Sequence, residues 1–322
     1  MAIKNIFITG VSGYLGTRLV KQFARRHDVG SIVGIDIAPP AAPDKRLIFY
    51  QKDIRDPDMG KLMSKHDIDT VFHLAFVVQP IHDLEKMHDI DYNGTLNVIT
   101  NAHERKVRHI IATSSTLAYG AHKDNPDILT EDHPLRGNTS YPYGYNKALS
   151  DMLMQDFSKA HPDTLVTILR PCTVFGPSVG NYVSRMLFMP VTVSVLGYNP
   201  GVQLVHEDDF VNACAAAMEK EKSGPFNVTG DGTLTVRDIS RITKTTLIPL
   251  PSWVVYPLLE LFWRLRFPGI EVNSGYLDYV RYPFVAGSDK AKKELGFDPE
   301  YDSIETLESA VRNRRQELKP EK

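Results

Sequence analysis

The 322-residue chain predicts a doubly wound parallel α/β sheet with a smaller, discontinuous lobe toward its carboxyl end. Three observations predict it. A short apolar strand pattern, Ile3 to Thr9, runs into Gly10-Val11-Ser12-Gly13-Tyr14-Leu15-Gly16 and then into a helical pattern. A second apolar run, Ser31 to Ile35, closes on Asp36, twenty residues after Gly16. Beyond it, apolar segments of strand length alternate with segments of helical period, as strand–helix–strand crossovers require.

The glycine turn has the chemistry of a pyrophosphate holder. Gly10 makes the tight turn without a Cβ penalty, Gly13 lets the backbone approach phosphates, and Gly16 lets the helix lie close against the strand. That helix, read as Thr17 to His27, offers unpaired N–H groups and its positive dipole end to an anion. Asp36 stands where a carboxylate accepts hydrogen bonds from adenosine ribose hydroxyls. A carboxylate repels a 2′-phosphate, and no Lys or Arg follows before Lys45 and Arg46, so NAD is favoured over NADP. The plainer reading is that Asp36 only ends a strand before the Pro39-Pro40 turn.

Composition narrows the classes. Lys plus Arg number 37 and Asp plus Glu 39, a formal charge of −2, which gives no overall field for nucleic acid or an anionic membrane. The two cysteines, Cys172 and Cys214, make no disulfide framework and fit a reducing compartment. The amino terminus does not read as a signal peptide, and no apolar run approaches spanning length. The expectation is a cytoplasmic protein with a small-molecule substrate.

Leu47 to Gln51 reads as a third strand ending at Asp53-Ile54. Asp53 either faces the cofactor crevice, to meet an adenine amino group, or caps a turn. Thr70 to Ala75 reads as a buried strand, Leu84 to Glu104 as one long helix, and Arg108 to Ser114 as a fifth strand. Tyr143 and Lys147 are four apart in a segment that becomes helical after Pro142, so they share a face. An ammonium beside a phenol is expected to lower the phenol's pKa toward the working pH, as proton removal from an alcohol needs. Ser115, at the end of the fifth strand, can hydrogen-bond the substrate oxygen, with Thr116 as its rival. As an isolated pattern, Tyr-x-x-x-Lys is more often an accidental surface pair. Cys172 reads as a buried structural thiol. His206-Glu207-Asp208-Asp209 follows an apolar strand, Val202 to Val205, and precedes a helix, Phe210 to Lys220. The acids therefore read as an N-terminal cap, and no metal site is predicted. Phe226 to Val228 is one more strand, with Gly230, Asp231 and Gly232 as its turn.

These words together resemble the extended short-chain dehydrogenase/reductase superfamily, in its NAD-dependent epimerase/dehydratase group. They are Thr9 to Gly16, His73-Leu74-Ala75, Asn93-Gly94-Thr95-Leu96-Asn97-Val98, Ser114-Ser115 with Tyr119-Gly120, Tyr143 to Lys147, and Leu169-Arg170-Pro171 with Phe175-Gly176-Pro177. The resemblance implies a Rossmann domain over 1–177, returning at about 202–230, and a substrate lobe from 178–201 and 231–322. It implies Tyr143 as acid/base, Lys147 as its partner and ribose ligand, and Ser115 as the third member. The implied NAD-binding residues are Gly10, Gly13, Tyr14, Leu15, Gly16, Asp36, Asp53, Ile54, Leu74, Ala75, Asn93, Tyr143, Lys147, Pro171 and Val174. Asn93 reads equally as a plain polar residue of a helix. Two departures stand out: Phe76 replaces a common second alanine, and Tyr14 a common Phe. The resemblance also implies a homodimer paired through the helices near Leu84–Glu104 and Tyr141–Lys159.

The stretch Pro249 to Gly269 carries both tryptophans, Trp253 and Trp263, and is interrupted by Pro257, Glu260 and Arg264. It reads as a well-packed helix of the small lobe, an apolar lid, or a surface-lying anchor. Loosely, it resembles the steroid-dehydrogenase branch more than the sugar-nucleotide branch. Leu117 and Ala118 follow Thr116 where a sugar 4,6-dehydratase carries an Asp-Glu pair, and Gln203 to His206 lacks the Arg of sugar-nucleotide epimerases. The tail reads as two helices, Ser288 to Gly296 and Ser303 to Gln316, with Ser288 capping the first. The expected function is hydride transfer at a secondary alcohol or ketone of a sterol-like or other apolar substrate. The alternatives are a nucleotide-sugar (UDP-sugar) 4-epimerase and a non-catalytic NAD-binding sensor.

Overall fold

The structure, a computed structural model, describes residues 3–317. Its first half runs largely as strand–helix crossovers: β1 (Lys4–Thr9), α1 (Tyr14–Phe23), β2 (Val29–Asp36), β3 (Leu47–Gln51), α2 (Met59–Lys65), β4 (Thr70–His73), α3 (Leu84–His88), α4 (Gly94–Glu104), β5 (His109–Thr113), α5 (Pro142–Ala160) and β6 (Leu165–Pro171). Then come β7 (Thr173–Phe175), α6 (Tyr182–Leu187), β8 (Val191–Val195), β9 (Gly201–Val202), β10 (Leu204–His206), α7 (Glu207–Lys220) and β11 (Gly224–Val228). The chain ends with β12 (Leu234–Thr235), α8 (Val236–Thr243), β13 (Thr246–Leu250), α9 (Ser252–Arg264), α10 (Asp289–Leu295) and α11 (Ser303–Glu317).

Seven strands form one sheet in the order β11-β6-β5-β4-β1-β2-β3, and every pair in it is parallel. The strands read as continuous apolar runs because both faces are covered. Alternate residues of β1 divide accordingly. Ile6 and Ile8 join a core with Leu19, Phe23, Phe210 and Met218, while Phe7 joins the opposite core with Met59, Val98, Ile99 and Met154. The strand order reverses about β1, so a crevice opens beyond the carboxyl ends of β1 and β4.

Several boundaries differ from the sequence reading, each for a local reason. The first helix begins at Tyr14, because Gly13 already holds the extended N-cap conformation, φ −71° and ψ 173°. The helix over 84–104 contains a π turn, Asp89–Asn93, between α3 and α4. The strand over 202–205 is split at Gln203, whose buried amide exchanges hydrogen bonds with the Ala286 backbone, 2.8 and 3.1 Å. The cap of α7 is His206, which accepts from the Asp208 N–H at 3.2 Å; the acids occupy the first turn instead. Ser288 sits at the N-cap of α10 without a capping hydrogen bond. The two helices of the tail part company. Ala291, Leu295 and Phe297 are buried in the same core as Ile6 and Phe210, whereas Leu307, Ala310 and Val311 of α11 pack with Leu234 and Ile239. Among the described residues no helix is long and apolar enough to cross a membrane.

Candidate active site

The glycine turn lies at the switch point of the sheet. Gly10 has φ +71°, and a Cβ there would lie 2.8 Å from the Ala75 Cα, so the ends of β1 and β4 meet only because it is glycine. A Cβ on Gly16 would lie 2.3 Å from the Gly10 carbonyl oxygen; one on Gly13 would meet that oxygen at 3.2 Å. No side chain caps α1, so its first N–H groups remain available to an anion. This cradle fits a dinucleotide pyrophosphate. Tyr14 and Leu15 open the helix, and the Tyr14 hydroxyl is spent on Glu207, a buried carboxylate that also accepts from the Ser178 N–H at 3.1 Å and pairs with Arg18 at 2.8 Å. Burial and this carboxylate raise the Tyr14 pKa far above the usual phenol value.

Asp36 ends β2 half-exposed, its carboxylate accepting from the Ser12 N–H at 3.0 Å, at the rim of the turn. Leu74 and Ala75 are held by Thr9: its carbonyl accepts from the Leu74 N–H at 3.3 Å and its hydroxyl oxygen from the Ala75 N–H at 3.2 Å. That hydroxyl lies 2.8 Å from His73 Nδ1, and His73 Nε2 lies 3.0 Å from the Thr95 hydroxyl. Burial pushes the His73 pKa down to about 3, so this ring is a neutral strut between β1, β4 and α4.

Asp53 and Asn93 lie farther out. Arg55 grips Asp53 with two hydrogen bonds, 3.0 and 2.6 Å, and reaches Asp89 at 2.6 Å. Asn93 is exposed and donates to Asp89 at 2.7 Å. Ile54 is buried in the core against Gly94. Asn93 therefore joins a surface polar chain, and Asp91, two residues earlier, faces inward. The π turn explains this, since its extra residue rotates the helix face. The Asp91 carboxylate is wholly buried and accepts from the Val77 N–H at 2.8 Å and the Asn146 amide at 3.0 Å.

Tyr143 and Lys147 occupy the first turns of α5. The Lys147 ammonium donates to the Thr113 carbonyl at the end of β5, 2.7 Å away, and lies 3.6 Å from the Phe76 ring centroid. Ser115, two residues past that carbonyl, accepts from the Leu117 N–H at 3.2 Å and donates to the Pro171 carbonyl at 3.4 Å. Val174 lies just beyond, paired with Val205. The Tyr143 ring meets Phe76 edge-on at 5.8 Å, and its hydroxyl has no hydrogen-bond partner among the described residues. Ser114 has a buried hydroxyl with no partner among the described residues at the same strand end, a polar group of the kind a ligand satisfies.

The electrostatics depart from expectation. The Tyr143 pKa is raised, chiefly by burial and then by Tyr182 and Asp91, and not lowered. Burial pushes Lys147 down to about 7, against the pull of Asp91 and Asp151. Asp91 is itself pushed up to about 6 by burial. The physical reason is that the ammonium turns to Phe76 and Thr113 and sits 5.9 Å from the Tyr143 ring centroid, too far to offset desolvation of the phenolate.

The second wall is aromatic. Tyr141, Tyr182, Tyr276 and Tyr279 pack around Tyr143, and the Tyr141 and Tyr182 hydroxyls meet at 2.6 Å. The cations nearby are committed: Arg185 to Glu271 at 2.8 Å, and Arg281 to the rings of Tyr198, Tyr256 and Tyr282. The sequence reading missed Asp91, Glu207 and the orphan Ser114. Asp91 had a signal, a carboxylate inside an apolar helical pattern; Glu207 was absorbed into the supposed cap. His103, His161 and Asp163 form a group of metal-capable side chains, at the opposite end of α5 from Tyr143.

Residues 6–229 match the model of the NAD-dependent epimerase/dehydratase family. An uncharacterized protein of Mycobacterium tuberculosis strain H37Rv is 25% identical over 318 residues, covering 97% of this chain and 84% of that protein. A UDP-glucose 4-epimerase of Yersinia enterocolitica is 32% identical over 195 residues, 57% of this chain and 56% of that protein. The structure of a Thermotoga maritima UDP-glucose 4-epimerase with UDP-glucose superposes with a TM-score of 0.76 at 22% identity, over 98% of this chain and 100% of that one, a likeness of fold. With the family match spanning the glycine turn, the Ser115 strand end and the Tyr143–Lys147 helix, the chain belongs to the NAD-dependent epimerase/dehydratase family.

Proposed function

We propose that the chain catalyses NAD-dependent hydride transfer at a secondary alcohol or ketone of an apolar, sterol-like substrate. One observation carries this reading: the phenol of Tyr143, with an unpartnered hydroxyl, stands beside the Lys147 ammonium at the end of the strand that leads to Ser115. NAD, when bound, supplies the hydride acceptor or donor. Tyr143 Oη exchanges a proton with the substrate oxygen, and Ser115 Oγ donates a hydrogen bond to that oxygen. Lys147, on the same helix face, carries a loosely held proton that suits a relay from the tyrosine at neutral pH. Asp36 accepts from the adenosine ribose, and the glycine turn with the α1 N-terminus holds the pyrophosphate.

The tyrosine-lined wall and the committed arginines support an apolar substrate over a nucleoside diphosphate, which asks for a free cation. Nucleotide-sugar 4-epimerisation is the second reading, favoured by the Yersinia enterocolitica relative. NADH absorbance and product stereochemistry, read with sterols, acyl alcohols and UDP-sugars, separate the two. A lasting rise in NADH with an apolar alcohol supports the first reading. Interconversion of UDP-sugars without net NADH replaces it with the second. Unchanged turnover in Tyr143→Phe overturns both and leaves an NAD-binding sensor.

We also infer a homodimer through α3, α4 and α5, whose surfaces expose Leu84, Leu96, Tyr145 and Met152. Light scattering that finds a monomer at micromolar concentration refutes it. The free, buried Cys172 and Cys214 fit a reducing, cytoplasmic setting.

A further inference from the structure

One face of α9 has no partner among the described residues. Only Val255 of this helix is buried, and Tyr256 and Leu259 lean on the same small core. At 100° per residue, Trp253, Pro257, Leu258, Leu261 and Leu265 fall on the opposite side. Trp253 is 78% exposed, Leu261 51%, Leu265 67%, and Phe267 just beyond 53%. Half of the large hydrophobic side chains exposed on the described surface lie between Val191 and Phe267, so the excess is local to the small lobe.

Charge is uneven along the same part of the chain. Residues 236–269 hold Arg237, Arg241, Lys244, Arg264 and Arg266 against Asp238 and Glu260, an excess of three positive charges in a chain whose total is −2. Both acids are already tied to arginines, Asp238 to Arg241 at 3.2 Å and Glu260 to Arg264 at 2.9 Å. Glu260 also accepts from the Ser274 hydroxyl at 2.9 Å. Arg266 is exposed with no ion-pair partner among the described residues. The near-neutral balance of the whole chain conceals this local excess of positive charge along residues 236–269.

We propose that the outer face of α9 lies on the surface of an anionic phospholipid bilayer, with the helix parallel to the membrane plane. Leucines and an indole on one side with arginines at the flank are the composition that seats a helix at the headgroup–acyl boundary. Charge selects this occupant over a second copy of the chain: a self-complementary interface needs an acid to meet Arg266, and among the described residues this face has none free, Glu260 being tied to Arg264. The docked face is joined to the cleft. Trp263 stacks on His82 at 4.0 Å, Gln79 donates to Glu271 at 3.1 Å, and the loop they hold, residues 76–83, begins at Phe76 beside Tyr143. Docking turns the cleft mouth toward lipid, a consequence that rests on the apolar-substrate reading; the docking itself does not.

The test uses the full chain with vesicles of phosphatidylcholine alone or with phosphatidylglycerol, read by flotation and tryptophan emission. Flotation is expected to rise with the phosphatidylglycerol share and to fall at about 1 M salt, where screening reaches about 3 Å. A blue shift of emission on binding is expected, diminished in Trp253→Phe. Leu261→Glu/Leu265→Glu is expected to weaken binding by about tenfold or more, with unchanged circular dichroism because both side chains are exposed. No flotation at millimolar lipid, or equal flotation of the double variant, overturns the proposal. So does a dimer in sedimentation velocity that the double variant dissolves. Failure of sterols as substrates leaves the vesicle result untouched, so the two readings fail separately.

Discussion

The ammonium of Lys147 stands 3.6 Å from the centre of the Phe76 ring, which also meets Tyr143 edge-on. The ring does two opposed things to the lysine. Its quadrupole favours the charged form by about 1–2 kcal/mol, while its bulk excludes water at an effective cost of several kcal/mol for a buried ion. Desolvation wins, which is why Lys147 is pushed down to about 7.

Phe76→Ala therefore lets water reach the ammonium, and the Lys147 pKa rises toward the ordinary lysine value. The ionisation near neutrality in the pH profile of kcat/KM is expected to move up by about one unit or more. Stability falls by about 1–2 kcal/mol in urea denaturation, less than for a fully buried ring because Phe76 is only half-buried. A profile that stays in place would show that the ring does not set this lysine's proton affinity.

Asp91→Asn tests the other side of the lysine. Of the two carboxylates that raise the Lys147 pKa, Asp91 acts more strongly than Asp151, so its removal sends that pKa further below about 7, and the kcat/KM profile shifts to lower pH. Stability changes as well. With its folded pKa raised from 3.8 to about 6, Asp91 binds more protons in the native chain, and its contribution is lost as pH rises through that window. Lys147, depressed from 10.5 to about 7, does the reverse: the unfolded chain holds the extra proton, so stability is regained between about 7 and 10.5. Urea midpoints from pH 4 to 10 should show the first slope vanish in Asp91→Asn while the second remains.

Asp36→Ala removes the carboxylate at the end of β2. The dissociation constant for NAD is expected to rise about tenfold, the equivalent of roughly one charged hydrogen bond, while that for NADP changes little or falls. Calorimetry with both dinucleotides reads this directly. Equal weakening for the two would mean that Asp36 acts only through the Ser12 N–H it accepts, by holding the glycine turn.

The chemistry of the turn was legible because it depends on backbone: Gly10, Gly13 and Gly16 announce a close approach that no other residue permits, and Asp36 sits at a fixed spacing from them. That Tyr143 and Lys147 lie one turn apart on the same helix was legible through helical period. The π turn at Asp89–Asn93 was not, since a five-residue turn leaves no mark in a sequence that still repeats apolar residues at helical spacing, and it is Asp91 of this turn that faces inward. The tyrosine's proton affinity was misjudged for a related reason. Spacing places two side chains on one face, but it says nothing of the Phe76 ring that arrives from the loop after β4. The exposure of α9 was hidden similarly, because an apolar helix that packs and one that faces outward have the same composition.

Beneath the site, β6 and α5 are joined by a wholly buried ion pair. Arg170 reaches Asp151 with two hydrogen bonds of 2.8 and 2.9 Å, and its third nitrogen donates to the Tyr119 hydroxyl at 2.8 Å. That hydroxyl donates in turn to Asn227 on β11. Asp151 lies one helical turn after Lys147, so this network fixes the depth and rotation of the helix that carries both Tyr143 and Lys147. Arg170→Met leaves the Asp151 carboxylate buried without a partner and is expected to cost about 3–5 kcal/mol in urea denaturation. Arg170→Met with Asp151→Leu removes both charges, and most of that stability should return, because two apolar groups of similar size need no solvation. Turnover should not return with it, since α5 then lacks the directional contacts that set its register against β5. A double variant as unstable as the single one would instead mean that packing around Tyr119, and not the unpaired charge, governs the loss.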